Sequence, residues 1–178
     1  MSSKLGVENI AHTNGTNAMT ISSGGVATFN NTPNLSTGAM TNAPAFKATR
    51  SSSAQTIPGN SWTQVLFNDE LLDTDNCYDP TTNFRFTPNV AGKYWIYAHI
   101  YSGVGNQYIY GAIAINGTRK LASNIDASQA GGVYIAGIFT FNGSSDYVEA
   151  QTYQGPNAGN ISTSEEFAVF GGYKLIGI

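Results

Sequence analysis

FNDELLDTDNCYDPTTNFRFTPNVAGKYWIYAHIY, residues 67–101, decides the fold. Asp79-Pro80 and Asn89-Val90-Ala91-Gly92 are turn chemistry: Pro fixes φ, Gly supplies positive φ, and Asn tolerates left-handed backbone. Phe84-Arg85-Phe86 and the run from Tyr94 to Tyr101 alternate with period two, as half-buried strands do. In that run Tyr94, Ile96, Ala98 and Ile100 share one face, and Trp95, Tyr97, His99 and Tyr101 share the other. A sandwich needs one buried face per sheet. Here the second face also carries large rings, so it asks for a partner.

Similar strands fill the rest of the chain from Ala45 onward. Period-two runs fall at 45–50, 62–67, 84–87, 93–101, 107–116, 133–142, 146–153 and 167–176. Pro58-Gly59, Asn116-Gly117, Gly131-Gly132, Asn142-Gly143 and Gly155-Pro156 punctuate them, and Asn-Gly between alternating runs is a hairpin signal. The nearest helical candidate, 121–131, is too rich in Ser and Gly to hold a helix. This pattern predicts an all-β fold, a two-sheet antiparallel jelly-roll sandwich over residues 44–178.

Residues 1–43 read differently. Lys4 and Glu8 are their charges, and Asn, Thr, Ser, Gly and Ala dominate. Short strand signals at 18–21 and 26–29 flank a turn through Gly24-Gly25. So little apolar surface cannot offset the entropy of ordering, so the segment is either a tail or ordered by other chains. The expectation is an extended anchor or stalk, with the boundary in the Pro- and Gly-containing stretch 33–44.

Composition narrows the function. Of 178 residues 41% are hydrophobic, enough for a core, and 11% are charged, against roughly 25% in typical soluble proteins. A net charge of −3 with scattered cations leaves no footprint for nucleic acid. The single Cys77 excludes an intrachain disulfide framework. No apolar run reaches membrane-spanning length, so no membrane insertion is expected. Met1-Ser2-Ser3-Lys4 leads into no apolar signal region, which predicts synthesis in a cytoplasm.

The case for an enzyme is thin. His99 lies within an aromatic strand, where a packed histidine is favoured over a general base, and His12 has no carboxylate beside it in sequence. The chain lacks a Gly-x-Ser-x-Gly elbow, a paired-His spacing and a Cys-x-x-Cys. Glu165-Glu166 reads as a solvated loop. No catalytic residue and no organic cofactor are expected. Clustered carboxylates at Asp69, Glu70, Asp73, Asp75 and Asp79 have the oxygen chemistry of a calcium site, with Asp73, Asp75 and Asp79 as the candidate ligands. Their spacing is not that of an EF-hand and favours a plain acidic loop. Tyr153, Gln154 and Asn157, beside Gly155-Pro156, form the candidate ligand surface, because tyrosines give contact area at small entropic cost and stack on sugar rings.

Several of these blocks, taken in order, resemble one family. Asn76-x-Tyr78-Asp79, then Phe84-x-Phe86-x-Pro88, then Gly92-x-Tyr94-x-Ile96 is similar to the signature of the complement-1q-type globular head, a cousin of the tumour necrosis factor jelly roll. Ile113-Ala114-Ile115-Asn116-Gly117, Asp146-Tyr147-Val148 and the closing stretch from Phe167 to Leu175 look like its later strands. Ser145 stands where the family usually has Gly, and Phe170-Gly171-Gly172-Tyr173 adds a residue. Pro44-Ala45-Phe46-Lys47-Ala48-Thr49-Arg50-Ser51 resembles the opening strand of such heads in bacteriophage and bacterial proteins, the leader from His12 to Ile21 is similar to segments that precede adhesion heads in phage fibres, and the collagen-like stalk of animal members is absent.

The resemblance implies a homotrimer with Trp95, Tyr97, His99, Tyr101, Tyr108 and Tyr110 at the threefold interface, and raises the case for calcium. It further implies a virion protein of a bacteriophage, of tail-fibre or host-adhesion type. Its head would face a host cell-surface glycan or protein, and its N-terminal segment would bind other virion proteins. The alternative is a capsid decoration protein whose N-terminal segment clamps neighbouring capsid subunits.

Overall fold

The computed structural model describes residues 9–11, 17–29, 42–105 and 107–176. His12 and residues 30–41 of the expected anchor and boundary lie outside the described residues. The chain divides into two units, Met1–Ala39 and Met40–Ile178. In the first, β1 (Asn9–Ala11), β2 (Asn17–Ile21) and β3 (Ala27–Phe29) form an antiparallel sheet in the order β1-β2-β3. The Ser22 side chain closes the β2–β3 turn by accepting the Val26 amide at 3.1 Å.

The second unit is all-β among its described residues. Its strands in chain order are β4 (Ala45–Thr49), β5 (Gln55–Ile57), β6 (Trp62–Gln64), β7 (Asp69–Asp73), β8 (Tyr78–Asp79), β9 (Arg85–Phe86) and β10 (Gly92–Ser102). They continue with β11 (Gln107–Ile115), β12 (Thr118–Ala127), β13 (Gly131–Phe141), β14 (Val148–Gln154), β15 (Gly159–Ile161) and β16 (Ala168–Lys174). In the first sheet β10 is central: β13 pairs along its whole length, β16 takes the other edge, and β4 and β7 follow outward. The second sheet runs β12-β11-β14, with β6 and the β8–β9 pair on the far side of β14. Together they make the jelly-roll sandwich that the alternation predicts.

The core lies between the sheets. Tyr94, Ile96 and Ile100 from β10 are fully buried with Ile109, Ile113 and Val148 from the second sheet. Rings fill one part of it: Phe46 stacks on Phe86 at 4.3 Å and on Tyr78 at 5.2 Å, while Phe170 meets it edge-on at 4.9 Å. Tyr78 donates to the Phe67 carbonyl at 2.7 Å and Tyr94 to the Val90 carbonyl at 2.6 Å, so neither buried hydroxyl is left without a partner. Burial pushes both phenols well above their usual range. Four buried rings of this core, Phe67, Tyr78, Phe86 and Tyr94, come from the stretch that decides the fold.

Asn116 and Gly117 have φ of 51° and 74°, the two positive values that a tight hairpin turn requires, and they join β11 to β12. Several strands go beyond the sequence reading, β12 and β7 among them. Residues 118–127, in part the rejected helix candidate, form the long edge strand β12, whose polar side chains are mostly exposed. The acidic stretch expected as a loop begins as β7, paired with β4 at the edge of the first sheet. Charged residues on an edge strand discourage the addition of further strands. No helix of the described residues is long and apolar enough to cross a membrane.

Candidate functional site

The outward face of the first sheet is aromatic. Tyr94, Ile96, Ala98 and Ile100 point into the core, so Trp95, Tyr97, His99 and Tyr101 point out, and all four are half-buried. Register extends the surface across the neighbours: Trp95 stands between Ile138 and Tyr173, and His99 between Tyr134 and Val169. Tyr134 and Ile138 are 59% and 55% exposed, large values for residues of this size next to other rings. Tyr101 packs on Phe167 at 4.8 Å and His99 lies 6.5 Å from Tyr134. His99 Nδ1 sits 3.3 Å from the Glu166 carbonyl oxygen. Lys47 pairs with Glu165, and the partial burial of Tyr97 raises its phenol above the usual range. A contiguous apolar patch of this kind is costly to leave in water.

Tyr108 and Tyr110 do not belong to that surface. They lie on β11 in the second sheet and point outward on the opposite side of the sandwich, so the six residues expected at one interface divide into four and two. There, register places Tyr110 opposite Tyr153 and Tyr153 opposite Trp62, a ladder of rings across three adjacent strands. Ring centroids are 5.6 Å apart for Tyr110–Tyr153 and 5.8 Å for Trp62–Tyr153. With Tyr108, which is 51% exposed, they line an open cleft of about 200 Å³. The Arg119 guanidinium lies 4.5 Å over the Trp62 ring and donates to Gln151 Oε1 at 3.1 Å. Tyr153 donates to Asn60 Oδ1 at 3.0 Å.

The expected ligand surface is also divided. Tyr153 lies in β14 and faces outward into this cleft, and Asn157 is exposed in the segment that follows. Gln154 is the correction: it is fully buried, and its Oε1 accepts from Ser102 Oγ at 2.9 Å. Strand parity puts it inside, because Val148, Ala150, Thr152 and Gln154 share the inward face of β14. Trp62 and Arg119 were not singled out from the sequence. Trp62 opens a predicted strand and shares its outward parity with Gln64, a signal that was there to read.

The carboxylates of the acidic stretch hold turns. Asp73 accepts the Asp75 amide at 3.2 Å and the Tyr78 amide at 2.7 Å. Asp75 accepts from the Thr74 hydroxyl at 2.6 Å. Asp79 accepts the amides of Thr81, Thr82 and Asn83 at 2.9–3.1 Å, and these bonds, Thr82 and Thr81 foremost, hold its carboxyl well below the usual range. Among the described residues, no three His, Cys, Asp or Glu side chains are grouped so that they could hold a metal ion.

Known structures share this architecture. Murine APRIL, in its crystal structure at pH 5.0, superposes with a TM-score of 0.59 at 14% identity, covering 74% of this chain and 98% of that one. The globular domain of the zebrafish complement 1qA protein gives 0.58 at 21% identity, covering 74% and 97%. Eiger TNF from S. frugiperda gives 0.56 at 13% identity, covering 74% and 91%. At such identities the likeness shows the fold alone, the jelly roll that these domains share. No protein-family model and no curated protein matches the sequence.

Proposed function

We propose that three copies of this chain assemble around a threefold axis on the outward face of β10, and that the trimer is a non-enzymatic structural protein of a bacteriophage virion. Its jelly-roll heads project outward as binding modules, and its N-terminal segment attaches to the particle. The observation that carries the reading is the aromatic face itself: Trp95, Tyr97, His99 and Tyr101, flanked by Tyr134 and Ile138, form an apolar surface that a lone domain would leave in water. Closed rotational assembly covers the same patch on every copy. The fold shared with APRIL and the complement 1qA head supports the head architecture.

His99 supports the non-enzymatic part, since its Nδ1 is placed against the Glu166 backbone carbonyl and its ring among aromatics. The virion assignment draws on the bacteriophage-like opening stretch from Pro44 to Ser51 and on the uncharged, Asn- and Thr-rich leader. Antibody labelling and copy counting on purified particles test it. A small number of copies at a tail supports the binding head. Even labelling of the shell at high copy number replaces it with a decoration protein, and absence from particles overturns both.

A further inference from the structure

The four rings on the second sheet are not needed by the core, and none of them faces the aromatic patch of the first sheet. We propose that the cleft formed by Trp62, Tyr108, Tyr110 and Tyr153 is a glycan-binding site that takes one pyranose ring of a cell-surface polysaccharide. The proposal deepens the binding-head reading and rests on it for the threefold, outward display of the cleft.

Three features carry it. The first is size: about 200 Å³ falls below the roughly 300–1,000 Å³ of sites for drug-sized ligands, so the cleft holds a single ring. The second is preorganisation. Tyr110 and Tyr153 meet at 89°, Trp62 and Tyr110 at 63°, so the rings brace one another edge-to-face in place of closing into a flat stack. Arg119 over Trp62 and Asn60 on the Tyr153 hydroxyl fix them further, and a site held rigid beforehand loses less entropy on binding. The third is chemistry at the rim. A pyranose offers an apolar C–H face to an aromatic ring and hydroxyls around its edge, and Arg119, Gln151 and Asn60 supply donors and acceptors beside the rings.

Other flat or ring-bearing ligands fit less well. A nucleic acid needs cations along its phosphates, and the chain carries a net charge of −3 with its basic residues scattered. Proline-rich peptides dock in aromatic grooves, but a proline ring has no hydroxyls for the polar rim. One sugar ring binds with a dissociation constant on the order of 1 mM. Three linked copies raise apparent affinity by about 10²–10⁴ for a polymer that spans them.

Saturation-transfer NMR of the full chain with a panel of methyl hexopyranosides and methyl N-acetylhexosaminides tests the site, with a proline-rich peptide as competitor. The expected result is transfer to the C–H protons of at least one glycoside. Tyr108→Ala weakens it about tenfold, the scale of losing one stacking ring, and this residue is 51% exposed, so the fold survives its loss. Tyr134→Ala, on the opposite sheet, leaves monovalent binding unchanged. Absence of transfer from the whole panel, transfer indifferent to Tyr108→Ala, or displacement by the peptide in preference to sugar each overturns the proposal. A trimer blind to sugars loses the cleft and keeps the assembly. A monomer that binds them does the reverse, and its binding shows no gain on a polymer.

Discussion

The Tyr97 ring lies directly over Gly171, so closely that a Cβ built on that glycine would stand 2.5 Å from Tyr97 Oη and 2.6 Å from Cζ. The two residues are partners in register across β10 and β16, and the absence of a side chain at 171 lets the ring lie flat along the sheet. That contact sets the shape of the proposed threefold surface.

Gly171→Ala therefore swings the Tyr97 ring away. The expected cost is about 1–3 kcal/mol of stability, as for other overpacking changes, together with weaker assembly. Thermal unfolding and light scattering of the same samples measure the two effects.

A charge on the face separates assembly from folding. Ile138 is 55% exposed, so Ile138→Glu changes the stability of one domain by no more than about 0.5 kcal/mol. Three copies of it brought together around an axis repel and lose the apolar contact. The variant is expected to stay folded by circular dichroism and to run as a monomer. A folded Ile138→Glu trimer would place the interface elsewhere.

Much of this surface was legible in the sequence, because period two assigns faces within a strand without any knowledge of the fold. Trp95, Tyr97, His99 and Tyr101 separate from Tyr94, Ile96, Ala98 and Ile100 on parity alone. Parity says nothing about which sheet a strand joins. Tyr108 and Tyr110 look like more of the same, and only the long-range pairing of β11 with β14 sends them to the opposite side. The strand at 118–127 escaped notice because an exposed edge strand carries Arg, Lys, Ser, Asn and Asp where a buried one would carry Val or Ile. Gln154 misled through its chemistry: a polar residue beside Gly-Pro suggests a loop, but its parity with Thr152 already placed it inside.

Asp79 predicts a pH dependence. Its folded carboxyl titrates below the unfolded value of about 3.9. Its contribution is therefore present above that pH and lost as pH falls through the folded value. Asp79→Ala is expected to cost about 1 kcal/mol near neutrality, the usual scale for a side chain capping free backbone amides. The gap between wild type and variant should narrow in acid. Unfolding curves at neutral pH and near pH 3 check this, and a gap that widens in acid contradicts it.

Chelation addresses the same stretch from another side. Asp73 and Asp79 already accept backbone amides at 2.7–3.2 Å, so their oxygens have work without a cation. Unfolding temperature is expected to be the same with and without a calcium chelator. A drop on chelation restores calcium to the Asp73, Asp75 and Asp79 region.

The interior gives the largest expected effect. Phe46 touches the rings of Phe86, Tyr78 and Phe170, so Phe46→Ala removes the centre of the cluster and should cost about 3–5 kcal/mol in denaturant unfolding.

The central claim is that the aromatic face of β10 is covered by other copies of the same chain. The molar mass of the full chain in solution at micromolar concentration, by light scattering behind size exclusion, tests it most directly. Three times the 18.8 kDa chain mass, falling to a single chain mass in Ile138→Glu, is the predicted result. A wild-type protein that runs at one chain mass with Trp95, Tyr134 and Ile138 in water contradicts the account.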